Sequence, residues 1–396
     1  MACAVHYQRV PASGFARGVG VHLTPPDAEA GPWTWPMHRG RLACHVVLAR
    51  DDLLTVWEAR HTADGLRLVQ VRAHRLFGQV TGMVVVRTIA SQVDRRERLL
   101  VSFTDAKLAL LEWDDVAGDV QTISIHTFER APQLAAGLPP AFVPALRADP
   151  ASRCAALLLP QDAVAVLPLY QDAAELGLDD ARDPALATHQ PYAPSFVLAL
   201  GEDVDASIRN VRDICFLPGF QNPTLAVLNE PELTWTGSLS DAKQTLRVCL
   251  ITLELSLAKY TVTVTSEPLP YDTLGVEACP EALGGVLLVT PSALAHLDLT
   301  GRLVGTSVSA WSAATSTWSL PRAAAPDGSL FELDLQDSRL VFVESTRALL
   351  FLHSGDVFAL QCTLEGRSLT TLSLAPVDAM RDAGAACDAR LPGGAI

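Results

Sequence analysis

"HVVLARDDLLTVWEAR", His45 to Arg60, sets two apolar runs on either side of a polar tripeptide, Arg50-Asp51-Asp52. Aspartate side chains bond nearby backbone and favour tight turns, so the phrase reads as strand, turn, strand. It recurs along the chain. "RLLVSFTDAKLALLEWDD" (Arg98 to Asp115) turns at Thr104-Asp105-Ala106-Lys107, and "CAALLLPQDAVAVLPLY" (Cys154 to Tyr170) turns at Pro160-Gln161-Asp162. "GGVLLVTPSALAHLDLTG" (Gly284 to Gly301) and "RLVFVESTRALLFLHSGDVFALQCTLEG" (Arg339 to Gly366) continue the series. Each first strand is apolar on nearly every residue and each second strand alternates. That contrast is expected of inner strands covered on both faces and outer strands wetted on one. With the intervening "LRLVQVRAH", "VQTISIHTF", "RVCLITLEL" and "KYTVTVTSE", the hairpins amount to about twenty strands. At roughly four strands and about 40 to 50 residues per blade, the expectation is an all-β fold, a WD40-like β-propeller of about five to six blades. The rival all-β reading is two consecutive sandwiches, with the stretch from Asp172 to Pro194 as a long loop or a boundary. The WD-repeat signature itself is absent, since Trp113-Asp114 has no Gly-His upstream at the usual distance.

The 396 residues are 49% hydrophobic and 19% charged, which excludes a mostly disordered chain. Forty-four acidic against 30 basic side chains give a formal charge of −14, so the surface as a whole offers no broad grip on phosphates. Arg95, Arg96 and Arg98, interleaved with Asp94 and Glu97, read as a solvated loop. The eight cysteines form no CxxC pair and several sit inside apolar runs; they read as reduced core residues of an intracellular protein. The start, "MACAVHYQRV", lacks the pattern of a signal segment, and no apolar run approaches a bilayer-spanning length, so no membrane role is expected. "SAWSAATSTWSLPRAAAPDG" (Ser309 to Gly328) reads as an exposed loop.

A search for chemistry returns little. There is no G-x-S-x-G nucleophile elbow and no phosphate-binding G-x-x-x-x-G-K-[ST] loop. "GVGVHL" (Gly18 to Leu23) lacks the third glycine of a dinucleotide fingerprint and reads as a flexible loop. The carboxylate pairs Asp51-Asp52, Asp114-Asp115 and Asp179-Asp180 all fall at turns, where Asp is favoured for local backbone bonding. No two histidines are spaced H-x-x-x-H, and His126 in "TISIHTF" is expected to fill or edge a sheet. Trp57, Trp113 and Trp235 could stack on nucleobases, but each follows or ends a strand without interleaved basic residues, and covering a blade edge is the plainer expectation. No catalytic, metal or cofactor constellation emerges.

One stretch is more specific. "VRDICFLPGFQNPTLAVLNEPELTWTG", Val211 to Gly237, resembles a phrase of the family formed by the largest subunits of the cleavage and polyadenylation specificity factor, D-x-x-F-L-x-G-x-x-x-P-T-L-x-x-L-x-E-P-x-x-T-W-x-G. It is carried by Asp213, Phe216, Leu217, Gly219, Pro223, Thr224, Leu225, Leu228, Glu230, Pro231, Thr234, Trp235 and Gly237. Three further blocks are similar in the same order: Leu99 to Leu108 with Asp105 and Lys107, Asp149 to Ala156 with Arg153, and Leu269 to Leu287 with Gly284 and Gly285. Together they run from about Val46 to Leu374.

The resemblance implies the first propeller of a multi-propeller scaffold, without catalytic, metal or cofactor residues. Its implied partners are a WD-repeat subunit and a zinc-finger subunit that read the polyadenylation signal, so that contact with pre-mRNA is mainly indirect and the protein works in the nucleus. The broader superfamily includes the large damaged-DNA-binding subunit and a splicing factor 3b propeller subunit, so a ubiquitin-ligase or splicing scaffold is the nearest alternative. A propeller enzyme with acidic residues converging in its channel is a further one. The expected organisation is an N-terminal extension with first strands over 1–40, an incomplete propeller ring over 41–375 and a disordered tail over 376–396. A ring short of strands would leave an unpaired edge and be less stable than an extended chain.

Overall fold

The computed structural model describes residues 14–25, 41–63, 65–135, 142, 144–171, 191–325, 327–366 and 368–377. Most of the stretch from Asp172 to Pro194, and the tail beyond 377, lie outside the described residues.

Six antiparallel sheets follow one another in chain order, each built around four consecutive strands. Blade 1 is β1 (Arg17–Val21), β2 (Arg41–Arg50), β3 (Leu53–Thr62) and β4 (Gly65–Arg75); blade 2 is β5 (Val80–Val86), β6 (Arg98–Phe103), β7 (Lys107–Asp114) and β8 (Asp119–Thr127). Blade 3 is β9 (Leu146–Ala148), β10 (Cys154–Leu159), β11 (Ala163–Pro168) and β12 (Phe196–Ala199). Blade 4 is β13 (Val211–Leu217), β14 (Thr224–Asn229), β15 (Gln244–Glu254) and β16 (Lys259–Thr265), with the short β17 (Leu269–Pro270) also on β15. Blade 5 is β18 (Gly275–Ala278), β19 (Val286–Thr290), β20 (Ala293–Leu297) and β21 (Leu303–Ser307); blade 6 is β22 (Arg339–Glu344), β23 (Arg347–Phe351), β24 (Val357–Glu365) and β25 (Ser368–Pro376). The described residues form a β-propeller of six blades, not a pair of sandwiches. β1, β5, β9, β18 and β22 line one central channel of about 660 Å³, which makes the first strand of a blade its innermost.

The cores lie between blades. Leu54 and Val56 of blade 1 pack with Leu99 and Leu111 of blade 2, and Leu100 and Leu110 on the other side of blade 2 pack with Leu157 and Ala165 of blade 3. Leu158 and Val227 share the core between blades 3 and 4, Leu228 and Leu288 that between blades 4 and 5, and Leu287 and Leu350 that between blades 5 and 6. β6, β10 and β14 are buried on every residue because both their faces meet another blade. Each fully buried Leu or Val there contributes about 1.5 to 3 kcal/mol relative to exposure. Between blades 6 and 1 the described residues form no shared cluster. Instead a small cluster of Cys44, Val46 and Ala59 lies on the face of blade 1 turned from blade 2, and another of Val341, Phe351 and Val357 on the face of blade 6 turned from blade 5. Cys44, Cys154, Cys215, Cys249, Cys279 and Cys362 are all free thiols in buried positions.

Three expectations need correction. The alternating pattern belongs less to the second strand of each hairpin than to the outermost strand: β11 and β20 are buried almost throughout, whereas β16 alternates exposed and half-buried residues along its length. Most of "GVGVHL" is not a loop, because Gly18 to Val21 belong to β1, paired with β2 from Val21↔His45 to Arg17↔Ala49. The Arg95–Arg98 run is not a solvated loop either. Ile89–Asp94 form a short helix, α1, and Arg98, buried at the start of β6, binds Asp94 and lies 3.5 Å from Glu112. Arg96 pairs with Asp115.

Candidate functional site

A propeller offers two kinds of site, its channel and its loops. The charged residues of the channel wall are Arg17, Arg147, Glu277, Asp337 and Arg339. Arg17 Nε donates to the Thr81 carbonyl at 2.7 Å and Arg147 Nε to the Ile214 carbonyl at 3.1 Å, which ties these side chains to neighbouring blades. Acidic residues do not converge here. The wall mixes three guanidinium groups with two carboxylates, which gives the alternative of an acidic catalytic channel no support. Among the described residues no group of three His, Cys, Asp or Glu could hold a metal ion.

The motif residues divide sharply by environment. Asp213, near the start of β13, accepts hydrogen bonds from the backbone of Ile214 at 2.9 Å and Val276 at 3.1 Å, and pairs with Arg147 at 3.3 Å. One carboxylate therefore joins blades 3, 4 and 5. Burial pushes its pKa up, against the pull of Arg147 and the two backbone donors. Phe216 packs in the core between blades 3 and 4, and Thr224 and Pro223 are buried at the start of β14, where the Pro223 carbonyl accepts from Leu253 N at 2.9 Å. Glu230, also buried, accepts from Arg212 at 2.6 Å and from the Thr245 hydroxyl at 2.9 Å. Lys107, at the start of β7, bridges Asp105 and Glu129, and both carboxylates hold its ammonium protonated. Gly284 and Gly285 turn the chain into β19 with φ of +66° and +70°, and the Gly284 carbonyl lies 2.8 Å from His296 Nε2. These nine positions, and Gly237 below, have architectural surroundings.

Trp235 differs. It stands on the loop after β14 and is 75% exposed, so it covers no blade edge as expected of it. Gly237 lies beneath its indole, where an added Cβ would come within 2.7 Å of the ring. Trp113 is buried between blades 1 and 2, and Trp57 is half-buried with its Nε1 donating to Thr55 Oγ1 at 3.0 Å. His126 edges its sheet, 4.7 Å from the Tyr192 ring in T-shaped contact and hydrogen-bonded to Ser124 and Ser195. Asp51 and Asp52 form the β2–β3 turn, and Asp114 Oδ1 accepts from Val116 N at 2.8 Å; Asp179 and Asp180 lie outside the described residues. Sequence reasoning passed over Trp311, 72% exposed in the connection from β21 to β22. An indole in a Ser- and Ala-rich stretch, with no apolar neighbours to bury it, is the signal that could have found it. That same stretch is less open than expected: Ser312–Thr315 form a helical turn, α2, and Ala323 joins the core between blades 5 and 6.

A family profile described as RSE1/DDB1/CPSF1 first beta-propeller matches residues 39–389. The chain is 30% identical over 327 residues to "Cleavage and polyadenylation specificity factor subunit 1" of Drosophila melanogaster, covering 81% of this chain and 22% of that protein. It is 33% identical over 290 residues to "Protein cft1" of Schizosaccharomyces pombe, covering 71% and 19%, and 28% identical over 366 residues to the protein of the same name in Aspergillus niger, covering 83% and 26%. The chain thus spans only 19% to 26% of the length of these relatives.

Proposed function

Because this chain belongs to the RSE1/DDB1/CPSF1 first beta-propeller family, we propose that it is a non-enzymatic scaffold in the cleavage and polyadenylation of pre-mRNA. The observation that carries this reading is the identity, 30% over 81% of the chain, to a relative named as a subunit of the cleavage and polyadenylation specificity factor. The architecture agrees with it: the motif side chains are spent on joining strands and blades, which leaves the loops as the part of the molecule free to meet partners. On this reading the partners are the WD-repeat and zinc-finger subunits that recognise the polyadenylation signal, RNA is met mainly through them, and the protein acts in the nucleus. The net charge of −14 suits a protein that leaves RNA contact to others.

Gentle purification of the tagged protein from its own nuclei, followed by mass spectrometry, tests the reading. Recovery of the polyadenylation subunits is the expected result. Recovery of ubiquitin-ligase or splicing subunits would move the chain to a sister complex, and recovery of no complex would overturn the scaffold role.

A further inference from the structure

Two exposed tryptophans stand on neighbouring connections between strands. Trp235 lies on the β14–β15 loop and Trp311 on the β21–β22 connection, with exposures of 75% and 72%; Leu233, beside the first, is 68% exposed. The loops touch. Lys243 Nζ donates to the Ala313 carbonyl at 3.2 Å, and Tyr271 N donates to the Lys243 carbonyl at 3.0 Å. Neither ring hangs on slack chain: Trp235 leads into the helical turn Thr236–Ser238 and Trp311 into α2. Gly237 supports the Trp235 indole from below. Single exposed apolar residues are ordinary, but paired, positioned indoles are the composition of an interface centre.

The surroundings of the pair specify the partner. The three segments that meet here, 230–243, 266–274 and 308–338, hold nine carboxylates against two basic residues, Lys243 and Arg322; of the nine, Asp337 lines the channel instead, and Arg212 adds a guanidinium at Glu230. Both cations are engaged, Lys243 with Ala313 and Arg322 with Glu332 at 2.8 Å. Of the carboxylates, Glu230 is already held by Arg212, whereas Glu232 and Asp241 are exposed on the same β14–β15 loop as Trp235. An indole face attracts guanidinium and ammonium groups through its quadrupole, and carboxylates around it add to the attraction. A polynucleotide would meet the same carboxylates as repulsion.

We propose that this surface docks a basic segment of a partner protein, with arginine or lysine side chains stacked on Trp235 and Trp311 and paired with Glu232 and Asp241. The proposal deepens the scaffold reading by giving the chemistry of one partner surface, and it rests on that reading only for the partner's identity. The test uses the full chain and three labelled probes: a short arginine-glycine-serine peptide, the matched peptide with glutamate for arginine, and a uridine-rich RNA. The arginine peptide alone is expected to bind. The joint variant Trp235→Ala, Trp311→Ala should weaken it by about tenfold or more, and Glu232→Lys with Asp241→Lys should do likewise, without moving the unfolding midpoint of a chain in which all four side chains are exposed. Failure of the peptide to bind, equal binding by the tryptophan variant, or RNA binding lost in that variant would each overturn the proposal. The nuclear purification separates it from the scaffold reading. If the wild-type protein recovers the polyadenylation subunits and the variant loses one of them, both stand; equal recovery by both retains the scaffold and overturns the docking face; no recovery by the wild type defeats the scaffold reading, and the peptide measurement still decides the face.

Discussion

Asp213 draws its neighbours from far away in the chain. Arg147 is 66 residues before it and Val276 is 63 residues after it, so only the closed packing of blades brings them together. Replacing Asp213 by Ala removes the acceptor of two backbone N–H groups and takes from Arg147 its ion-pair partner, leaving it only the more general attraction of Glu277, an expected cost of about 3 kcal/mol in urea unfolding. Asn, which keeps one acceptor oxygen, should cost less. The sequence marked Asp213 as a motif residue but could not show what it binds, because contacts of such separation leave no local pattern. Trp235 failed for the opposite reason: its local pattern, an indole after a strand, suits both a covered edge and an open loop. His45 is a third case. It is 2% exposed against Trp113, and burial, with His22 and Arg60 adding, lowers its pKa to about 4. The fold therefore keeps His45 neutral where the unfolded chain takes up a proton. Stability should fall as pH drops from about 6.5 to about 4 and then level, a loss of about 3 kcal/mol from this group. Denaturant titrations across that range should show a shallower slope for His45→Gln. Some slope should remain, since burial also lowers His126 and His296.

At the scale of elements, the buried hairpins were legible and the innermost strands were not. β6–β7 and β10–β11 declare themselves because both faces are covered and nearly every residue must be apolar. β1 reads "RGVGV", β9 "LRA" and β18 "GVEA", too short or too rich in glycine to show a period. Pairing with a strong second strand makes them strands, a tertiary effect that outweighs propensity. The turn into β19 separates two glycines that look equivalent. An added Cβ on Gly284 meets nothing within 4 Å, whereas one on Gly285 would collide with the Leu297 carbonyl. Gly284→Ala should cost only the left-handed strain, about 1 to 2 kcal/mol, measured by the shift in urea midpoint. Gly285→Ala carries that strain and the clash, and it should destabilise the chain by clearly more, with loss of the β19–β20 pairing in amide exchange.

For the whole molecule, the regular spacing of hairpins made a propeller legible, and the count of about five to six came close to the six observed blades. What spacing cannot show is that the junctions differ. Five are filled by shared clusters, while the facing sides of blades 6 and 1 carry only small clusters of their own among the described residues. Val227→Ala, in the core between blades 3 and 4, should cost about 2 kcal/mol, and the same change at Val341, in the small cluster on the face of blade 6 turned from blade 5, about half as much in urea unfolding. The buried thiols extend this to time. Burial raises Cys44 and Cys362 to about 11 and raises Cys154, Cys215, Cys249 and Cys279 as well, so each is inert until its surroundings open. They are distributed like seals: Cys154 and Cys249 between blades 3 and 4, Cys215 between 4 and 5, Cys279 and Cys362 between 5 and 6, and Cys44 on the outer flank of blade 1. Alkylation followed residue by residue in the native protein should break the Cys44 seal first and the Cys154 seal among the last, so that the ring records, in its own sulfur, the order in which it comes apart.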